Sequence, residues 1–369
     1  MNILINCSNL KAGGGLQVAD SVCCQLSRFP QHHFVVVLSA GLNGTKDRIS
    51  GQGNAEVFSY DIRNSLKTLL WGRDSFLDSL VAQKHIDVVL TVFGPSRWLP
   101  RVKHLCGFAR AQLLLKDSPY YSSISRKVRL VYKVWTWAFK RCSKNFYTEN
   151  LYISDMLPSL LGDVKVYTFT NYYNQVFDQP ERWESINIPS FKGTTLLTIS
   201  SYNPHKNFPI MAEICQYLQK NHPEFSFRFV VTLDREQCFF ITPDIESHFV
   251  TLGRVDVSAC PPLYQQADIM FMPTLMECFT ATYPEAMRME VPIVTTDLEF
   301  ARGLCGDAAC YYSALDAEAA AEAIYVIATN KEYAKHLIEA GKKQLLKYDN
   351  YKQRANKLIK ILEIIANEK

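Results

Sequence analysis

No apolar run in this sequence reaches the length of about 20 residues that a membrane-spanning helix needs, which excludes a helical integral membrane protein. No secretory h-region stands near the start, and Met1–Asn6 reads as a strand rather than a signal peptide. The eleven cysteines are odd in number and scattered, so they suit neither a disulfide framework nor an oxidising compartment. Cys305 and Cys310 lack a second cysteine pair or a nearby histidine, which argues against a metal set. Together these absences point to a reducing cytoplasm. No G-K-[ST] follows the glycine-rich stretch at residues 11–19, so a P-loop is excluded. A dinucleotide fingerprint fails there too: Val18 stands where the third glycine should be, and Ser39-Ala40-Gly41 supplies no acid for a ribose. Repeats and low-complexity segments are missing. Acid is scarce in one place: residues 101–144 hold eleven basic side chains and one acidic, Asp117.

What is present is a long, apolar, mixed chain. Its 369 residues suffice for two domains, and 48% hydrophobic content supports a large core. The net charge of +4 divides unevenly. Residues 1–190 carry 22 Lys+Arg against 14 Asp+Glu, or +8, while 191–369 carry 18 against 22, or −4.

Short apolar runs alternate with helical periodicities, which predicts βαβ units and parallel sheets. Strands are expected near 2–7, 33–39, 55–59, 87–92, 103–108, 144–148 and 164–169, then near 194–200, 226–232, 248–252, 268–272, 292–295 and 309–311. Helices fit near 15–28, 65–83, 124–142, 151–161, 206–220, 258–266, 284–289, 316–329, 331–346 and 349–367. Prolines and polar residues interrupt the pattern over 172–191. The expected organisation is a domain over 1–171, a linker over 172–191, a second domain over 192–348 and a closing helix over 349–369 that packs back toward the first domain. Both domains read as doubly wound α/β units facing across a cleft.

The most informative stretch is Met276-Glu277-Cys278-Phe279-Thr280-Ala281-Thr282-Tyr283-Pro284-Glu285-Ala286-Met287. It lies between an apparent strand and a helix whose first turn Pro284 marks. Ligands of open α/β sheets bind beyond the carboxyl ends of parallel strands. Glu277 and Glu285 are too far apart for one tight pair, and acceptor-only carboxylates suit the hydroxyls of a long polar ligand. The intervening backbone N–H groups of Cys278, Phe279 and Thr280 can hold an anion. Acids that only complement a helix dipole are the weaker reading in this context.

Three further segments end strands. Gly13-Gly14-Gly15 permits close approach of backbone to an anion or sugar, or is simply a turn. Ser201, His205 and Lys206 follow the first strand of the second half, where a lysine can meet a diphosphate or be a solvated surface charge. Gly253 and Arg254 end another strand; the glycine either admits a flat base or closes a turn. A basic aromatic helix over 124–142 displays Arg126, Lys127, Arg129, Lys133, Trp135, Trp137, Lys140 and Arg141. It suits an anionic membrane surface, with about 1 kcal/mol per basic residue, or a domain helix with a buried aromatic face. Nucleic acid is a weaker reading, because no recognised motif accompanies the patch.

Taken together these segments resemble the GT-B glycosyltransferases of retaining family 4. The resemblance runs nearly end to end, from the glycine loop through Asn171 to Asn203-Pro204-His205-Lys206-Asn207 and the E-x7-E segment. It is strongest over 248–328, where Leu263-Tyr264-Gln265-Gln266-Ala267-Asp268 and Gly306-Asp307-Ala308-Ala309 also fit. It implies two Rossmann-like domains, no cofactor and a nucleotide-diphosphate sugar as donor substrate. It also implies roles. Glu285 would bind ribose hydroxyls and Glu277 the donor sugar. Lys206 and the Phe279–Thr280 backbone would hold the diphosphate. Gly14 and Gly15 would approach donor phosphate or acceptor. Three departures stand out: Cys278 and Thr280 replace usual glycines, no arginine accompanies Lys206, and Arg110 falls where many members carry a histidine. His205 or Arg254 then substitutes for the missing arginine, and Arg110 supplies the charge near the sugar. With no Asp-x-Asp present, the expected chemistry is metal-independent.

The resulting expectation is retaining transfer from a UDP- or GDP-type sugar to a hydroxyl of a glycan, lipid-diphosphate-linked, in bacterial O-antigen or capsule assembly at the inner face of the cytoplasmic membrane. A nucleotide-sugar epimerase and a non-catalytic nucleotide-sugar-binding subunit are the competing readings.

Overall fold

A computed structural model describes residues 1–11, 13–62 and 66–368. Ala12 of the glycine loop, Ser65 at the start of the helix expected near 65–83, and the final residue of the closing helix segment lie outside the described residues. The chain forms two compact units. The first holds Met1–Lys116, Ile124–Asn171 and Asp349–Lys369; the second holds Asp117–Ser123 and Tyr172–Tyr348.

The first unit is built on β1 (Asn2–Cys7), β2 (His33–Leu38), β3 (Ala55–Ser59), β4 (Val88–Thr91), β5 (Lys103–Gly107), β6 (Asn145–Thr148) and β7 (Lys165–Thr168). Its seven strands are ordered β3-β2-β1-β4-β5-β6-β7, every pair parallel. The second unit has β8 (Thr194–Thr198), β9 (Phe227–Val231), β10 (Phe249–Thr251), β11 (Ile269–Met272), β12 (Ile293–Thr296) and β13 (Ala309–Tyr312). Its order is β10-β9-β8-β11-β12-β13, again all parallel. Strands such as Ile3-Leu4-Ile5, Val35-Val36-Val37 and Met270-Phe271-Met272 are fully buried. Helices cover both faces of a parallel sheet, so its strands are apolar throughout rather than alternating. Both units are therefore doubly wound and Rossmann-like. The order reverses between β1 and β4 in one and between β8 and β11 in the other.

Three expectations need correction. The helix expected over 65–83 is two, Leu66–Trp71 and Ser75–Gln83. Gly72 breaks it with a φ of 66°, and a Cβ there would lie 2.3 Å from the Leu99 side chain. Asp74 then caps the second helix by accepting from Leu77 N at 3.1 Å. Residues 172–191 are not a free linker. Val176 and Phe177 are buried in the second unit, and Gln266 Nε2 donates to Ile186 O at 2.9 Å. Residues 117–123 belong to the second unit rather than the first; the bonds responsible are described below.

The last helix, Tyr351–Asn367, packs its Leu358, Ile359, Leu362 and Ile365 into the core of the first unit. Arg354 of the same helix is buried and donates to Asn171 Oδ1. Thr170 and Asp349 bond reciprocally, Asp349 N to Thr170 Oγ1 at 2.6 Å and Thr170 N to Asp349 Oδ2 at 3.1 Å. The ends of the first unit's chain at Thr170 and Asp349 are thus fastened together. Among the described residues no helix is long and apolar enough to cross a membrane.

Candidate active site

In the second unit the loops after β8 and β11 leave the sheet on either side of its switch point. The first runs through Ser200–Asn207 and carries Lys206 on a single turn, Pro204–Lys206. Asn207 adopts a φ of 53°, a left-handed conformation asparagine tolerates, and this lets the chain enter the helix Ile210–Asn221. The second loop runs from Pro273 to Ala281 and carries Glu277. Leu275 N donates to His205 O at 2.8 Å, joining the loops.

The two charged residues meet. Lys206 Nζ forms an ion pair with Glu277 Oε1, and each side chain is about nine-tenths buried. Thr274 Oγ1 donates to the same carboxylate oxygen at 3.0 Å. The sequence reading assigns each residue its own part of a ligand; in the structure they neutralise each other. Such a pair holds a cation in place at the sheet's ligand end without leaving it bare in a mostly dry setting. His205 lies alongside. Burial pulls its imidazole below the ordinary histidine value, with Glu277 and Lys206 acting in opposite directions. It is a neutral donor or acceptor at neutral pH.

Glu285 meets a hydroxyl where its motif partner meets a cation. It sits in the helix Thr282–Arg288 and is only 7% exposed. Burial pushes its carboxyl up to about 7, opposed by Tyr264, whose hydroxyl donates to Oε2 at 3.1 Å. The helix begins two residues before the Pro284 that marked it in sequence. Between the acids, Cys278 is buried, Thr280 Oγ1 and Thr282 Oγ1 lie 2.9 Å apart, and Phe279 meets Tyr348 edge-on at 6.1 Å.

The remaining predicted residues fall as follows. Ser201 and Arg254 are exposed. Gly253 has a φ of 67°, and a Cβ on it would lie 2.9 Å from Asp234 Oδ1, so the turn itself requires glycine. In the first unit, Gly14 opens the helix Gly14–Cys23, with nothing within 4 Å of an added Cβ, while Gly15 backs onto Leu10 and Phe93. Asn9 Nδ2 donates to Phe93 O at 2.7 Å, which joins the loops after β1 and β4. Arg110 also belongs to the first unit, where its guanidinium lies 4.6 Å over the Trp135 ring.

The helix Arg126–Cys142 exposes Arg126, Lys127, Lys133, Trp137 and Lys140. Three of the eight residues expected to face a membrane are committed to the protein instead. Trp135 is half-buried under Arg110 and beside Tyr132. Arg129 Nε donates to Ile124 O at 3.0 Å. Arg141 donates to Leu69 O and Leu70 O at 3.1 and 3.0 Å and stacks on Trp137. Arg141 thereby anchors the short helix Leu66–Trp71, whose Leu66, Leu70 and Trp71 are 70%, 47% and 63% exposed. That apolar extension gave no signal in sequence, because it was read as part of a longer helix.

Sequence reasoning also missed Thr274 and Tyr264, the direct partners of the two glutamates. Thr274 follows the β11 strand end and Tyr264 lies in a segment quoted only for its resemblance. Residues 117–123 were missed altogether. Ser118 Oγ donates to Leu275 O at 2.7 Å, and the Tyr120 ring meets His205 edge-on at 5.8 Å. Among the described residues no group of three or more His, Cys, Asp or Glu gathers to hold a metal ion.

Residues 181–344 match the family model described as glycosyl transferases group 1. No curated protein matches by sequence. Solved structures match over nearly the whole chain. Sucrose-phosphate synthase from Thermosynechococcus elongatus is 13% identical, with a TM-score of 0.72 over 99% of this chain and 98% of that one. HepE of Anabaena, solved with UDP and glucose, is 14% identical, with a TM-score of 0.69 over 99% and 100%. WaaG, a glycosyltransferase involved in lipopolysaccharide biosynthesis, is 12% identical, with a TM-score of 0.67 over 98% and 99%. The chain has the GT-B fold with two Rossmann-like domains, and with residues 181–344 matching the group 1 model it is a glycosyltransferase enzyme.

Proposed function

We propose that this glycosyltransferase moves a sugar, with retention of anomeric configuration, from a nucleotide-diphosphate donor to a hydroxyl of a polyprenyl-diphosphate-linked glycan. The observation that carries the reading is the Lys206–Glu277 pair at the switch point of the second sheet. Donor binding exchanges the partners: Lys206 turns to the diphosphate and Glu277 to sugar hydroxyls. Glu285, within the same loop and helix, takes the ribose hydroxyls. The neighbour solved with UDP and glucose supports a donor of uridine diphosphate type.

In the reaction the bond from the anomeric carbon to the phosphate oxygen breaks, leaving positive charge on the sugar and negative charge on the departing diphosphate. The acceptor oxygen bonds to the same carbon on the same face, and its proton passes to the departing phosphate. Lys206 stabilises the leaving charge. One preorganised donor of that kind is worth roughly 3–4 kcal/mol, which suits metal-independent chemistry of a retaining family 4 type.

The lipid-linked acceptor rests on the first unit's surface. Arg141 ties the helix Leu66–Trp71, with exposed Leu66, Leu70 and Trp71, to the helix that exposes Trp137, Arg126, Lys127, Lys133 and Lys140. Apolar groups with basic neighbours suit the inner face of a cytoplasmic membrane, and the likeness to WaaG agrees with surface polysaccharide assembly, O-antigen or capsule. The test is incubation with UDP- and GDP-sugar panels, with and without polyprenyl-diphosphate glycan, alongside flotation on anionic vesicles. Transfer only with the lipid acceptor, and flotation lost at high salt, are expected. Acceptor-free conversion of the donor, or turnover on soluble sugars without vesicle binding, would remove the reading.

A further inference from the structure

We propose that Asp117–Ser123 is a strap that positions the Lys206–Glu277 pair, with Ser118 and Tyr120 as its positioning residues. The inference rests on the reading of that pair as the donor diphosphate and sugar site. The chain leaves the first unit after Lys116, contributes Asp117–Ser123 to the second, and rejoins the first at Ile124. The segment's short helix, Pro119–Ser123, buries none of its residues. It is held by its own polar bonds: Ser122 Oγ donates to Pro119 O at 2.9 Å and Ser123 Oγ to Tyr120 O at 2.7 Å. It therefore contributes no fully buried residue to a core. Its contacts are instead aimed at the two site loops.

Those contacts form a relay. Ser118 Oγ donates to Leu275 O, Leu275 N donates to His205 O, and Thr274 Oγ1 donates to Glu277. Lys206 directly follows His205, and Glu277 lies two residues after Leu275. The Tyr120 ring meets the His205 ring edge-on. The ladder between β8 and β11 registers Leu196 and Leu197 against Ile269 and Met270, well before either loop. Beyond it the relative position of Lys206 and Glu277 depends on loop-to-loop bonds, and the strap fastens the outer side of both loops. A displacement of about 1 Å at a reacting centre can lower a rate on the order of a hundredfold.

The experiment compares wild type, Ser118→Ala/Tyr120→Ala, Tyr120→Phe and Lys206→Ala. Backbone amide exchange at Leu275, which needs no donor, is read together with kcat and donor KM per folded enzyme on the sugar-nucleotide panel. The double variant is expected to expose the Leu275 amide and to lower kcat by about tenfold or more, with donor KM nearly unchanged. Tyr120→Phe, which keeps the ring edge on His205, is expected to retain turnover. Unchanged Leu275 protection overturns the strap. So does lost protection with unchanged kcat, which would make the segment a merely structural cover. If the double variant is poorly folded, Ser118→Ala alone decides through the same two readings. Lys206→Ala separates the two claims: if it remains active, the site reading fails, and if it alone is inactive, only the strap fails.

Discussion

The two sheets share a strand order outward from their switch points, yet they furnish those points differently. In the first unit, Asn9 joins the loops to Phe93 O, Gly15 backs onto the Phe93 ring, and Gly14 leaves open space where a side chain would stand. In the second, an ion pair spans the same place, with a buried carboxyl in the first turn of the helix that follows. One switch point offers bare backbone and the other preorganised charge. The overall charge of each half runs the other way: the half with a net −4 houses Lys206, while the +8 half spends its excess on the helix Arg126–Cys142. A half's net charge thus says little about where it would hold an anion; strand ends decide that.

The largest effect expected from breaking this contrast is at Lys206. Lys206→Ala should lower turnover on the order of 10²–10³-fold, the scale for losing one preorganised charge donor. It should also destabilise the unit, since Glu277 would remain mostly buried without its cation, a loss of roughly 3–5 kcal/mol for buried pairs. Lys206→Ala/Glu277→Ala should regain much of that stability and none of the activity. Urea unfolding and steady-state turnover of both variants separate the pair's role in the fold from its role in chemistry. Recovery of activity in the double variant would end the case for Lys206.

The next effect concerns Glu285. Its carboxyl is held up to about 7 by burial, against an ordinary glutamate value of 4.5. The stability its protonated form contributes is fully present below about 4.5 and is lost as pH rises through about 7. Neutral Glu285→Gln should therefore be more stable than wild type at pH 8, by at most roughly 3 kcal/mol, and equal to it at pH 4.5. Binding should go the other way. If ribose hydroxyls are accepted by the ionised carboxylate, UDP-glucose should bind wild type about tenfold more weakly at pH 6 than at pH 8, and Glu285→Gln weakly at both. Titration calorimetry across that range checks both slopes; a flat wild-type profile would detach Glu285 from the ligand.

The contrast also marks what could be read without coordinates. Every strand of both sheets was visible, because parallel strands buried on two faces are short continuous apolar runs, as in Val35-Val36-Val37 or Ile293-Val294. Glu277, Lys206 and Glu285 could be singled out because each follows such a run. That Lys206 and Glu277 meet, 71 residues apart, could not be read, since it depends on loop bonds with no periodic trace. Nothing in E-x7-E said what each acid would meet: Lys206 reaches Glu277, and the hydroxyl of Tyr264, 21 residues upstream, reaches Glu285. The break at Gly72 was hidden because apolar spacing continues through it. Pro119-Tyr120-Tyr121-Ser122-Ser123 has no apolar period at all, and its bond to Leu275 crosses 157 residues.

The smallest effect probes the bare switch point. Gly14 is exposed at the first position of the helix Gly14–Cys23, and an added Cβ meets nothing within 4 Å. Alanine there suits the helix better than glycine, by up to about 1 kcal/mol in a helix interior and less in a first turn. Gly14→Ala should leave the unfolding midpoint unchanged or slightly raised. Gly13, with a φ of 78°, is the internal control: alanine there is strained and should lower stability without any ligand present. If the first unit's backbone approaches donor or acceptor, Gly14→Ala must raise a KM severalfold despite the intact fold, because the new methyl occupies the space the ligand would use. If every kinetic constant stays at its wild-type value, open space at Gly14 is only a turn, and the charged switch point of the second unit binds the donor without help from the glycines.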